Sequence, residues 1–111
     1  FIWTNLIDFD QEYGHRNNPE GFARSLEEFD AALPDILAVL PRDSRLVVTA
    51  DHGNDPTTES TDHSREFVPL LYYGSSSTGS LGTRHTFADH AASAAAFFGV
   101  YFTGGGISFE N

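Results

Sequence analysis

Leu46–His63, LVVTADHGNDPTTESTDH, is the stretch on which the reading of this chain turns. Leu46-Val47-Val48 is a short, β-branched apolar run with the composition of a buried strand. It runs into Asp51-His52-Gly53, and the polar cluster that follows reads as a loop. In open α/β sheets, ligands collect at the carboxyl ends of the strands. An acid and an imidazole at that point are therefore placed to hold a metal. Asp62-His63 supplies a second acid–imidazole pair at the far end of the loop. Carboxylate oxygen and imidazole nitrogen together suit zinc, manganese or iron.

Upstream, Phe1–Asp8 (FIWTNLID) is apolar and aromatic and predicts a buried strand. Phe9–Asn18, polar and containing Gly14, predicts a loop. Asn18-Pro19-Glu20 has the residues of a helix start: a side-chain cap, a proline for the first position and an acid at the positive end. Phe22, Leu26, Phe29, Leu33, Ile36 and Leu40 recur at helical spacing, with Glu27, Glu28 and Asp30 off that face. Pro34 should kink this helix or divide it. Strand, helix and strand make a βαβ unit whose parallel strands end at one sheet edge. The loops after Asp8 and after Ala50 should then face each other.

Downstream, Phe67–Tyr73 predicts a third strand, with Pro69 marking an edge or a bulge. The long link Asp51–Glu66 lacks a helical pattern, and long loops of that kind are usually functional. Gly74–Gly82 reads as a flexible surface turn. Thr86-Phe87-Ala88-Asp89 has the form of a capping box, opening an alanine-rich helix to about Phe98 with Gly99 as C-cap. Val100-Tyr101-Phe102 predicts a last short strand and Gly104-Gly105-Gly106 a loose end.

The predicted topology draws three groupings to one edge: Asp10 with His15, Asp51 with His52, and Asp62 with His63. A loop histidine is ordinarily a surface residue, and convergence is what separates His15, His52 and His63 from that default. His85 and His90 lack such support and keep the surface reading. Asp62 is better placed to orient a ligand than to be one. Asp8 and Asp10 compete for one role, since alternation puts both on the same face if the strand continues. Thr49, Thr57, Thr58 and Thr61 have no context that marks a nucleophile; loop threonines usually bond to backbone.

Composition narrows the function. The 111 residues hold 16 acids against 6 arginines and no lysine, a formal net charge of −10. A nucleic-acid footprint and a polybasic membrane patch are both excluded. The acids suit either cation binding or a well-solvated surface. The absence of cysteine rules out disulfides and thiolate sites. No apolar run approaches the ~20 residues of a bilayer span. The chain opens inside a strand-like run and has no methionine, so it is expected to be a piece of a longer, cytoplasmic protein.

NLIDFDQEYGHR, TADHGNDPT, TDHSREFVPLLYYG and LGTRHTFADHAA resemble bacterial phosphopentomutase in order and spacing, from Asn5 to Val100. Asp-His-Gly alone marks only the wider alkaline-phosphatase-like superfamily. Asp55-Pro56-Thr57 with Thr61–Glu66 is more specific to the mutase. Small departures are Ser60, Ser64 and His90, the last replacing a usually apolar residue. The resemblance implies an α/β fold: the C-terminal half of an alkaline-phosphatase-like core, a mostly parallel sheet flanked by helices. Residues 1–111 would be part of one metal-binding core domain, with the N-terminal half and the sugar-phosphate cap outside it. It implies two divalent ions, manganese in most members, one on Asp51 and His52 and the other on Asp10, His15 and His63. The implied substrate is a pentose phosphate, interconverted between its 1- and 5-phosphates through a phosphothreonine that lies outside this chain. Rival readings are another enzyme of the superfamily, such as the cofactor-independent phosphoglycerate mutase or a phosphodiesterase, a metal-binding piece without activity, or a purely structural α/β domain. The oligomeric state is left open.

Overall fold

A computed structural model of the chain describes residues 1–74 and 78–110. In order, its regular elements are a π-helix (Phe9–Gly14), α1 (Pro19–Val39), β1 (Leu46–Thr49), β2 (Leu70–Tyr73) and α2 (Ala88–Phe98). β1 and β2 pair in a two-stranded sheet. The fold is thus mixed helix and strand. No described helix is long and apolar enough to cross a membrane.

Phe1–Asp8 does not form the expected strand. A strand needs neighbours for its N–H and C=O groups, and the sheet of the described residues consists of β1 and β2 alone. The run stays outside any core, with Phe1 86%, Ile2 89% and Trp3 78% exposed. Without a first strand, the described residues contain no βαβ unit.

Phe9–Asn18 is also not the loop that its polarity predicts. Phe9–Gly14 winds as a π-helix, continued by turns that bring Asn18 N–H onto Tyr13 O at 2.9 Å. Asn18 then caps α1 as expected, its Oδ1 accepting from Gly21 N–H at 2.9 Å. α1 passes through Pro34 undivided, although a helical proline gives up its own N–H bond and crowds the carbonyl four residues back. Phe22, Phe29, Leu33, Ile36 and Leu40 are half-buried, while Leu26 and the acids Glu27, Glu28 and Asp30 are exposed. Phe22 meets Phe9 edge to face, with ring centroids 5.1 Å apart. Tyr13 lies where a Cβ on Gly21 would sit, so glycine lets the π-helix close on the first turn of α1.

The chain divides into two compact units. The first comprises Phe1–Ser44 with Val48–Pro69, and the second Arg45–Val47 with the chain from Leu70 onward. In the second, the predicted strand over Phe67–Tyr73 is confined to Leu70–Tyr73, after Pro69. The surface turn expected over Gly74–Gly82 falls partly outside the described residues. The capping box does not form. Thr86 Oγ1 accepts from Ala88 N–H at 3.2 Å, while Asp89 turns away to accept from Arg84 Nε at 2.7 Å and Ile107 N–H at 2.8 Å. Gly99 ends α2 in the left-handed region at φ 64°, as a C-cap glycine should.

Residues 100–102 form no strand, and the tail beyond the glycines is not loose. Phe109 is only 6% exposed and, with Ala92, forms the apolar core. Its ring meets Tyr72 and His90 edge to face, and its N–H donates to Ser93 Oγ at 2.8 Å. Arg45 and Glu110 add an ion pair at 2.7 Å.

Candidate metal centre

All five residues expected to hold metal lie in the first unit. The π-helix positions two of them. His15 N–H donates to Asp10 O at 2.9 Å, the five-residue bond that defines a π turn. That turn places Asp10 and His15 on one side, with His15 Nε2 3.4 Å from Asp10 Oδ2. Gly53 and Ser64 form an antiparallel bridge that pinches the long loop at its base, so His52 and His63 return to the same place. Their rings stack with centroids 3.7 Å apart.

Asp10 is the meeting point. Its Oδ1 lies 3.4 Å from His63 Nε2 and 3.9 Å from His52 Nε2, and His63 Nε2 lies 3.1 Å from His15 Nε2. Asp10, His52 and His63 each offer a donor atom within 4.8 Å of the others. Asp51 stands apart: it is 75% exposed, with Oδ1 3.7 Å from His52 Nε2.

The histidines present the nitrogens a metal needs. A carbonyl only accepts, so the contacts of His15 Nδ1 with Thr61 O and of His52 Nδ1 with Gly53 O place a proton on each Nδ1. On a neutral ring that leaves Nε2 as the nitrogen with a lone pair for a metal. Asn17 holds the loop beneath, its amide donating to Thr58 O at 3.0 Å from a left-handed backbone at φ 47°. Burial pushes the Asp10 carboxyl upward, but the Asn54 amide and the imidazoles of His15, His52 and His63 outweigh it, and the group ends below its ordinary value.

These donors fit a divalent ion. Ligands about 2.0–2.1 Å from a tetrahedral centre lie about 3.3 Å from one another. The 3.1 Å between His15 and His63, and the 3.4 Å from each to Asp10 (His15 to Oδ2, His63 to Oδ1), are close to that edge length. His85 and His90 belong to the second unit. His90 is not a plain surface residue, however: it is half-buried, and its ring packs against Phe87 and Phe109.

The sequence model of the Metalloenzyme superfamily matches residues 1–101. The chain belongs to that superfamily. Metalloenzyme superfamily membership implies divalent metal ions, in keeping with the donor set around Asp10. A phosphopentomutase of Kosmotoga olearia is 57% identical over 111 residues, covering 98% of this chain and 28% of its own length. One of Acetivibrio thermocellus is 58% identical over 101 residues, covering 89% of this chain and 26% of its own. One of Thermotoga petrophila is 55% identical over 112 residues, covering 99% and 29%. The chain thus spans a little over a quarter of the length of these relatives.

Two parts of the centre were not singled out from the sequence. Asn54, whose Nδ2 donates to Asp10 Oδ1 at 2.9 Å, appeared only as a letter within a motif. Gly14, a loop glycine by its sequence context, is buried in the π-helix against Asn54. The five-residue step from Asp10 to His15 carried the signal: it suits one turn of a π-helix.

Proposed function

We propose that this chain is the metal-holding part of a phosphopentomutase, an isomerase that moves a phosphoryl group between O1 and O5 of ribose or deoxyribose. The observation that carries the reading is the gathering of His15, His52 and His63 around Asp10, within a sequence 55–58% identical to three phosphopentomutases. Residues 1–111 are read as part of one larger core domain with a mostly parallel sheet, in a cytoplasmic protein of nucleoside catabolism.

In this reading Asp10, His15 and His63 hold one ion, and Asp51 with His52 contributes to a second. Two divalent ions held there, manganese first among them, would supply charge neutralisation for a transferring phosphoryl group. The chain's own residues prepare that centre. Thr61 O and Gly53 O hold the Nδ1 edges of His15 and His52, so that their Nε2 atoms are the ones turned toward Asp10. The low Asp10 pKa keeps its carboxylate ionised at neutral pH. The resemblance assigns no nucleophilic threonine to these residues, so the 111-residue chain alone should take up metal without turning over substrate.

The test is turnover of ribose 1-phosphate and of phosphoglycerate by the protein carrying this chain together with sequence matching the rest of the relatives' length. Activity on the pentose phosphate alone is expected. Activity on phosphoglycerate alone would replace the reading with a phosphoglycerate mutase. Robust pentose-phosphate turnover by the 111 residues alone would overturn the division of roles.

A further inference from the structure

A carboxylate turns easily about its last torsion, whose well is broad. The three imidazoles do not by themselves single out one orientation, because His15 faces Oδ2 while His52 and His63 face Oδ1. Asn54 can fix it: its Nδ2 donates to Asp10 Oδ1 at 2.9 Å from a half-buried position. A carboxylate accepts only, so the amide must face it nitrogen first. Its carbonyl oxygen, the one Asn54 atom able to compete for an ion, is not the atom turned to Asp10.

The Asn54 amide rests in turn on Gly14. A Cβ built on Gly14 would collide with the Asn54 amide, and Gly14 is buried. Gly14 directly precedes His15, whose N–H closes the π turn onto Asp10 O. The π turn therefore supplies both Asp10 and the bare backbone on which the amide rests.

Resting on the metal-centre reading above, we propose that Asn54, seated on Gly14, is a positioning residue that holds the Asp10 carboxylate in its metal-receiving orientation. Gly14 is then required for its lack of a side chain, because a Cβ there would meet the Asn54 amide.

The experiment is calorimetric titration of Mn2+ into the 111-residue chain as wild type, Asn54→Leu, Gly14→Ala and the double variant. Leucine keeps the approximate shape of asparagine and removes the donor. Loss of a group that orients a ligand typically weakens metal affinity ~10–100-fold, and each single variant is expected in that range. Because both substitutions act through one amide, the double variant should be no more than a few-fold worse than either single. Urea midpoints of the metal-free variants are measured alongside. Weaker binding at a wild-type midpoint supports the proposal, whereas a loss that follows a falling midpoint overturns it in favour of simple packing. Wild-type affinity in Asn54→Leu overturns it, and multiplying losses in the double variant overturn the link to Gly14. A wild-type chain that takes up no ion overturns the metal-centre reading itself, and this proposal with it.

Discussion

Ser93→Ala should loosen the second unit by a predictable amount. Ser93 is 4% exposed within α2. Its hydroxyl donates to Asp89 O at 2.7 Å and accepts from Phe109 N–H at 2.8 Å. Losing the first bond costs little, since a helical carbonyl keeps its backbone partner four residues on. Losing the second leaves the Phe109 N–H buried with no acceptor, at about 1–3 kcal/mol. Alanine returns at most about 0.5 kcal/mol through better helix propensity. The net expectation is about 1–2 kcal/mol, a factor of roughly 5–30 in the open population. Amide hydrogen exchange at Phe109 and urea unfolding read it together. Phe109 should exchange faster by about that factor, with α1 in the first unit unchanged. A change below ~0.5 kcal/mol with full Phe109 protection would refute the claim that this bond docks the tail.

Asp10→Ala should lose bound metal whereas Asp8→Ala keeps it, since no side-chain bond joins Asp8 to the cluster among those described; elemental analysis after dialysis decides, and the opposite pattern would exchange their roles. Stability of the second unit should fall as pH drops below the ordinary histidine value of about 6.5. Burial against Phe87 and Phe109 lowers the His90 pKa despite the adjacent Asp89, so the unfolded chain binds the proton more readily and stability rises with pH across that window. Urea midpoints from pH 5 to 7.5 should show this slope in wild type and a shallower one in His90→Leu. Gly99→Ala should cost about 1–2 kcal/mol, because the α2 C-cap sits at φ 64° where a Cβ is strained; a thermal melt unchanged from wild type would show that this cap relaxes freely.

The legible parts of the fold were those fixed by local chemistry. Asn18-Pro19, the apolar spacing through Leu40, and Gly99 state the limits of α1 and α2 in residue types that act on their own turn. Phe1–Asp8 failed because a strand depends on a neighbour, and composition can state only willingness to pair. The capping box failed through competition. Asp89 had the right spacing to reach back to Thr86, but Arg84 and Ile107 N–H offer its carboxylate two stronger partners. They also hold the carboxyl below its ordinary value, the Ile107 backbone bond above all. Neither partner lies within the four residues of the motif, and Ile107 is far along the chain.

The site was legible for a different reason than the one first argued for it. Topology was to bring Asp10 and His52 together through two parallel strands ending at one edge. Among the described residues only the second of those strands exists, and yet the side chains meet. What joins them is one turn, one bridge and one amide. The π turn ties His15 to Asp10, the Gly53–Ser64 bridge folds His63 back onto His52, and the Asn54 amide joins the two halves at the Asp10 carboxylate. Each link spans a few residues or depends on a glycine that lets two backbones or an amide approach. A first-strand partner would stiffen this arrangement but is not needed to create it. Substitutions at Gly14, Gly53 and Asn54 should therefore disturb metal uptake more than any single change within Phe1–Leu6, where the residues are exposed.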